Sequence, residues 1–476
     1  MIKKLFISFT LTSVLSINAI NIDALAVEKE EVATHIFNTD TFNTQAYRIP
    51  ALLTTSSGVT YAGADVRFGG GADSPNNIDS GLIQSNNSGK SWMNTQFTFH
   101  FDDYPDQPTK NVTDSASTID SQLVEGHNNR IFTFVDMFKS GIGYPNTEVG
   151  SGYTLLENKK YLRLTNNDNE EFYVKEGKVY DKNNKLTNFK VDNEFNLLKD
   201  NIKVSNIFYK NSTLTVDNTS FICMKYSDDN GKTWSSPEIL NKNLKTDDMK
   251  FFGTSPGNGI TIKNGKNKDR IVVPIYYTST KSKTENAAVL FSDDNGQTWN
   301  RGETPNKNRI GGESKISESQ IVEMPNGQLK MFSRTPGKTA ISTSFDGGET
   351  WDPNVELIDE LISDKNAGVQ TSVINYSKKY NKKNIIIFSN PASYNRENGT
   401  IRIGQINNIG RYANGEPKYE IDWISKKAVF KGAFGYSSLT ELPNHKIGIL
   451  YEENHNQPST NYLAFKSYTL EQLMNK

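Results

Sequence analysis

The 476-residue chain has one cysteine, Cys223, and only five histidines. A single thiol cannot close an internal disulfide, so stability has to come from a large packed core. A nucleophilic thiol needs a partnered histidine, and none of the five is placed to suggest one. Cys223 lies in the apolar run FICMKY and reads as a buried structural thiol. Scattered histidines beside a lone thiol give no zinc-site spacing either. An excess of charge of one sign is also missing. The 53 lysines and arginines face 54 aspartates and glutamates, for a net charge of −1, so no overall field draws nucleic acid or an anionic membrane. Any positive site has to be built locally.

Long apolar runs are absent beyond the first residues. The opening stretch MIKKLFISFTLTSVLSINAINIDALA has Lys3 and Lys4, an apolar run over 5–20, and Ala-Leu-Ala at 24–26. That is the charged start, apolar middle and small-residue end of a secretory leader over residues 1–26. The alternative is an amphipathic N-terminal helix that stays on the protein. The run is too short and too polar for a membrane span, and no later segment approaches the roughly 20 apolar residues a bilayer demands. The last residues, YTLEQLMNK, carry no anchor. A secreted, extracellular and soluble chain is therefore expected. Losing Lys3, Lys4 and Asp23 with the leader leaves 51 basic and 53 acidic residues.

What the sequence does contain is a repeat. SDDNGKTW at 227–234 returns as SDDNGQTW at 292–299 and as SFDGGETW at 344–351, with a worn copy, SNNSGKSW, at 85–92. Four of the five tryptophans end such an octet. The Asp oxygen accepts from backbone N–H groups further along, Gly supplies a positive φ, and Trp pins the turn onto apolar surface. Short strand-like runs (MKYSDD, VLFSDD) precede the turns. The spacings are 142, 65 and 52 residues. The last two fit one four-stranded sheet per repeat, the unit of a β-propeller. The first exceeds them by about one sheet plus an insertion. Over 151–215 the composition shifts to Asn, Lys, Asp and Glu, with short strands such as YLRL and EFYVKEGKVYD. That segment reads as a small inserted β-domain, or alternatively as a disordered charged loop. The propeller then occupies 27–150 and 216–476.

The octets resemble the Asp-boxes of the bacterial secreted sialidases, and YRIP at 47–50 resembles the aromatic-Arg-Ile-Pro motif near the start of that family. The resemblance extends over about residues 35–470. It implies an all-β fold, a six-bladed propeller with a small β-rich domain inserted early, and hydrolysis of terminal sialic acids on glycoproteins, gangliosides and oligosaccharides. Sialic acid bears an ionised carboxylate on its anomeric carbon, which fixed planar guanidinium groups match. The family uses three arginines, and Arg48 in YRIP, Arg334 in KMFSRTPG and Arg396 in YNRENG correspond to them. Glu452 in GILYEE resembles the carboxylate that props the first. Sialidases attack with tyrosine, and the match is Tyr436 in KGAFGYSSLTEL, with Glu318 in KISESQIVEMPNG as its base. In AGADVRFGGGADSPNNIDSG, Asp73 falls six residues after Arg67 and resembles the acid, with Asp79 as the alternative. Arg67 and Asp120, in STIDSQLV, resemble the pair at the sugar's 4-hydroxyl.

The implied chemistry requires no cofactor and no metal, although surface carboxylates are able to hold a structural calcium. A monomer is expected. Two other readings stay open on the sequence: a sialoglycan-binding propeller without turnover, and a propeller that uses the octets only as scaffold.

Overall fold

Each octet closes on itself through the same bonds. In the copy at 292–299, Ser292 Oγ accepts the Gly296 N–H at 2.8 Å, and Asp294 accepts the Thr298 N–H at 2.8 Å and its hydroxyl at 2.6 Å. The copies at 227 and 344 repeat this pattern. In the worn copy Asn87 replaces Asp, accepting from Ser91 N at 2.9 Å and donating to Ser91 Oγ at 2.8 Å. The glycine of every copy has a positive φ, between 74° and 95°, which a residue without Cβ adopts at no steric cost. A turn of one fixed shape joins two antiparallel strands, and the fold is built by repeating that hairpin.

The computed structural model describes residues 32–106, 112–282, 284–307, 315–453 and 461–475; the expected leader, 1–26, lies outside them. Strand pairing gives six four-stranded blades. The first runs Ala46–Thr54, Thr60–Phe68, Asn77–Ser85 and Met93–Phe99. The second starts with Ser117–Glu125 and Ile131–Phe138 and resumes at Phe221–Ser227 and Glu238–Ile239. Met249–Thr254 opens the third, Ser319–Glu323 the fourth and Ser372–Tyr380 the fifth. Pro417–Glu441 pairs first with Glu397–Arg411 and then with Ile447–Glu453, so one 25-residue strand is both the outer strand of the fifth blade and the inner strand of the sixth. Thr34–Phe37 pairs antiparallel with Tyr462–Tyr468 and completes the sixth blade, closing the ring.

In the first four blades the octet is the turn between third and fourth strands. The 142-residue spacing therefore corrects the expectation of an additional sheet: the octets at 85 and 227 belong to adjacent blades. Its excess comes from an eight-stranded meander over 153–216 and its connections, entered between the second and third strands of the second blade. The meander's apolar face, including Leu164, Val179, Leu197 and Phe208, packs on Val135, Met137, Phe221 and Cys223 of that blade. Cys223 is fully buried there, and burial pushes its thiol pKa upward. Among the described residues, no helix is long and apolar enough to cross a membrane.

Neighbouring blades are latched at the far ends of their inner strands. Glu125, Glu323 and Glu441 each end the first strand of an even-numbered blade. Each carboxylate accepts backbone N–H groups from the preceding blade: Ser56, Lys263 with Asn264, and Ser377, at 2.7–2.9 Å. The opposite ends of those inner strands, where they start, carry the chemistry.

Candidate active site

The residues of interest stand at the start of a first strand, at the end of a second strand, or on the loops beside them. Arg48 lies near the start of Ala46–Thr54, Glu318 immediately precedes Ser319–Glu323, Arg67 and Arg334 sit at or next to the ends of Thr60–Phe68 and Leu329–Arg334, and Arg396 immediately precedes Glu397–Arg411. The blades converge there, and the side chains line a cavity of ≈ 390 Å³ that includes Arg48, Asp73, Asp120, Glu318, Arg334, Arg396 and Tyr436.

Local irregularities aim several of these groups. The strand pairing slips between Arg48 and Ala51, between Ile119 and Gln122, between Glu397 and Gly399, and between Phe434 and Ser437. A bulge turns a strand and re-aims the side chains beside it. Four non-glycine residues at or beside these slips take positive φ: Ile49 at 58°, Asp120 at 64°, Arg396 at 53° and Asn398 at 59°. For a β-branched residue such as Ile49 this costs about 1–3 kcal/mol and persists only where surroundings enforce it. The enforcement is visible. Glu452 accepts Ile49 N at 3.0 Å and Arg48 Nε at 3.1 Å through one oxygen, and Tyr436 N at 3.1 Å through the other. One buried carboxylate thus ties the bulge in the first blade to the bulge in the sixth.

At the floor, the Tyr436 hydroxyl donates to Glu318 Oε1 at 2.6 Å and accepts from Arg334 Nη1 at 2.8 Å. The same Nη1 reaches Glu318 Oε2 at 2.7 Å, and Arg334 Nε donates to Ala367 O. Burial pushes the Tyr436 phenol well above its ordinary range, while Arg334 pulls in the opposite direction. The phenol is therefore neutral, bonded to a base and touched by a cation. The Arg48 guanidinium lies 5.8 Å from the Tyr436 ring centre. Arg396 enters from the fifth blade, its Nη2 donating to Gly368 O at 3.0 Å.

Asp73 lies on the glycine-rich loop at 69–76 with 67% of its side chain exposed. Its Oδ1 accepts from Arg67 Nη1 at 2.6 Å and from Arg48 Nη1 at 3.2 Å. Enclosure alone would raise its pKa, but Arg67 and Arg48 together hold it below the usual carboxylate range. Arg67 is fully buried and also pairs with Asp65 at 2.8 Å, and Asp65 in turn accepts the Asp120 N–H at 3.0 Å. Asp79, the alternative acid, is fully buried away from this cavity, bonded to His100 Nδ1 at 2.7 Å and to Phe101 N at 2.9 Å. Every residue singled out by the motifs except Arg67, Glu452 and Asp79 lines the cavity; Arg67 and Glu452 support it from directly behind.

Sequence reasoning missed Asp136. It is fully buried, lines the cavity, accepts the Thr254 N–H at 2.7 Å through Oδ1, and has no hydrogen-bond partner at Oδ2. Its burial raises its pKa well above the ordinary value. A lone acid in the otherwise uncharged strand IFTFVDMF was the signal. A mixed wall was missed as well. Ile119, Phe138, Phe251 and Tyr276 form an apolar side, and Tyr144 OH donates to Glu285 at 2.8 Å, with Lys315 on the same carboxylate at 3.2 Å.

A family profile described as a BNR repeat-like domain matches residues 194–410. The chain is 38% identical to the anhydrosialidase of Macrobdella decora over 453 residues, which cover 86% of this chain and 58% of that protein. It is 31% identical to sialidase B of Streptococcus pneumoniae over 492 residues, 92% of this chain and 67% of that one. The intramolecular trans-sialidase of Ruminococcus gnavus, solved with oseltamivir carboxylate, superposes with a TM-score of 0.86 at 33% identity, covering 94% of this chain and 99% of that one. A leech intramolecular trans-sialidase complexed with 2,7-anhydro-Neu5Ac gives 0.85 at 33% identity, covering 94% and 71%.

Proposed function

The chain belongs to the sialidase family, and on that premise we propose that it is an exo-sialidase releasing terminal sialic acids from glycoproteins, glycolipids and oligosaccharides. One observation carries the reading: the Tyr436 phenol is held between Glu318 and Arg334 in the same cavity as Arg48 and Arg396. Three guanidinium groups suit a sugar whose carboxylate sits on the reacting carbon, and charge-assisted bonds of this kind are each worth about 1.5–3 kcal/mol. A carboxylate nucleophile would be repelled by that substrate, whereas a neutral phenol is not.

In the first step Glu318 takes the phenol proton as the oxygen of Tyr436 bonds to C2. Arg334 Nη1 meets the charge that develops on that oxygen. The bond from C2 to the leaving oxygen breaks, and Asp73 gives that oxygen its proton. In the second step Asp73 takes a proton from water, the water oxygen bonds to C2, and Tyr436 leaves with the proton returned by Glu318. Two displacements on one carbon retain its configuration. Arg67 and Asp120 serve the 4-hydroxyl, and Glu452 holds Arg48. On this reading the chain acts outside the cell as a monomer, after loss of its leader.

The relatives favour a second ending. One is named an anhydrosialidase and two are intramolecular trans-sialidases, in which a hydroxyl of the sugar itself would replace water in the second step. Tyr436→Phe is expected to lower turnover of a fluorogenic sialoside by a factor on the order of 10³ or more, because no oxygen remains to bond C2. Near wild-type turnover would refute the assignment. NMR of the products from 3′- and 6′-sialyllactose separates free sialic acid from the anhydro sugar and reports the linkage accepted.

A further inference from the structure

We propose that Asp136 is a positioning residue: acting through Thr254, it fixes the direction in which Asp120 meets the 4-hydroxyl of the sugar, a role that rests on the functional reading above. The two acids stand on different strands of the second blade, Asp120 on Ser117–Glu125 and Asp136 on Ile131–Phe138. Thr254 ends Met249–Thr254 in the third blade.

Asp136 is fully buried, and every hydrogen bond it makes among the described residues goes to Thr254. Its Oδ1 accepts the Thr254 N–H at 2.7 Å. The Thr254 hydroxyl in turn donates to the Asp120 carbonyl at 2.6 Å. On its other side Asp120 is held by Asp65 of Thr60–Phe68, whose Oδ1 accepts its N–H at 3.0 Å. The peptide groups before and after Asp120 are therefore both pinned, one from the first blade and one from the third. Asp120 has φ 64°, a left-handed backbone that a residue with a side chain keeps only where its surroundings enforce it. That backbone sets the direction of a carboxylate that lines the cavity.

Such placement comes at the expense of stability, which separates it from ordinary packing. Oδ2 of Asp136 is buried without a hydrogen-bond partner, and burying a carboxyl with one oxygen unbonded is unfavourable. The chain also makes room for it. A Cβ on Gly253 would stand 2.3 Å from that oxygen and 2.2 Å from the Phe251 ring. Because residue 253 has no side chain, the acid lies against the main chain and reaches the Thr254 N–H. An apolar residue at 136 would pack there without that bond. What Asp136 contributes is the direction of Thr254, and through it of Asp120. Local rules of stability are broken most often where function requires it.

The test pairs a fluorogenic sialoside with its 4-deoxy analogue and compares their kcat/KM values. In the unaltered chain the 4-hydroxyl is expected to raise kcat/KM on the order of tenfold, as one polar contact in a buried site does. Thr254→Val keeps the shape and removes the hydroxyl; it should bring the ratio of the two substrates to within about twofold of one, leaving the 4-deoxy value nearly unchanged. Asp136→Ala is expected to do the same. Asp136→Asn, whose amide oxygen still accepts the Thr254 N–H, should keep most of the ratio. Melting curves check that each variant is folded, and Thr254→Val, at a position that keeps its volume, decides the matter if Asp136→Ala is not. Equal losses on the two substrates would mean a purely structural role and overturn the proposal. An unchanged ratio in a folded variant, or no discrimination by the unaltered chain, would overturn it too. Failure of the unaltered chain to turn over any sialoside would refute the functional reading itself, and this role with it.

Discussion

Asp73 occupies Arg48 and Arg67 in the structure, where its carboxylate is stabilised as an anion. A general acid has to be protonated, so the proposed mechanism requires its pKa to rise when substrate arrives. The substrate carboxylate accomplishes this twice over: it replaces Asp73 on Arg48, and it adds a like charge nearby. The expected outcome is uptake of up to one proton when a 2,3-dehydro sialic acid analogue binds at mildly acidic pH, read by calorimetry in buffers of different ionisation enthalpy. Asp73→Asn should abolish the buffer dependence; an unchanged dependence would assign the proton elsewhere. At this scale the sequence was legible through its motifs. YRIP, the segment around Tyr436 and the pair 16 residues apart, Glu318 and Arg334, named groups that do meet in one cavity. The devices that make them meet were not legible. Nothing in single-residue chemistry announces that Ile49, a β-branched residue, adopts a left-handed backbone, because a carboxylate 403 residues away enforces it.

The hairpin turns are where local sequence and local structure agree most closely, since the bonds that close the octet are made within eight residues. Two glycines with nearly the same backbone separate conformational strain from packing. Gly296 has φ 82° and a Cβ there would stand 2.3 Å from the Phe132 ring; Gly141 has φ 81° and nothing within 4 Å. Gly141→Ala is expected to cost about 1–2 kcal/mol from the left-handed backbone alone. Gly296→Ala should cost clearly more, by about a further 1–3 kcal/mol of overpacking, measured by urea unfolding. Equal losses would mean that the octet is not pressed onto the neighbouring strand as described. The spacing of octets was readable only in part. Two gaps gave the blade length, but the third could not distinguish an extra sheet from longer connections, because blades five and six carry no octet with which to calibrate it.

Across the whole molecule, acids buried behind the cavity set a dependence of stability on pH. Burial outweighs the pull of Arg67 and brings Asp65 to about 6, and Asp120 and Asp136 are raised in the same direction. Between the unfolded value of 3.8 and about 6, folded Asp65 keeps a proton that the unfolded chain has released. The folded state binds more protons there, so stability falls as pH rises through that window and stays lower above it. Turn carboxylates such as Asp229, lowered to about 2 by its bonds to Thr233, act only below the unfolded value and leave pH 5–7 untouched. The thermal midpoint is expected to be lower at pH 7 than at pH 5. Asp65→Asn removes the titrating group and should flatten that slope; an unchanged slope would assign it to the other buried acids.

Because Thr34 pairs with Phe465, the beginning and the end of the fold share one blade, and the order in which the polypeptide is written is not the order in which its ring must be cut. A circularly permuted gene, with a flexible linker joining the two old ends and new ends opened in the turn at 182–184, keeps every blade and every strand pair of the propeller intact. Such a permutant is expected to turn over a fluorogenic sialoside within about tenfold of the unaltered chain, given how well exposed loop tips tolerate new ends, whereas opening the loop at 69–76 should silence it.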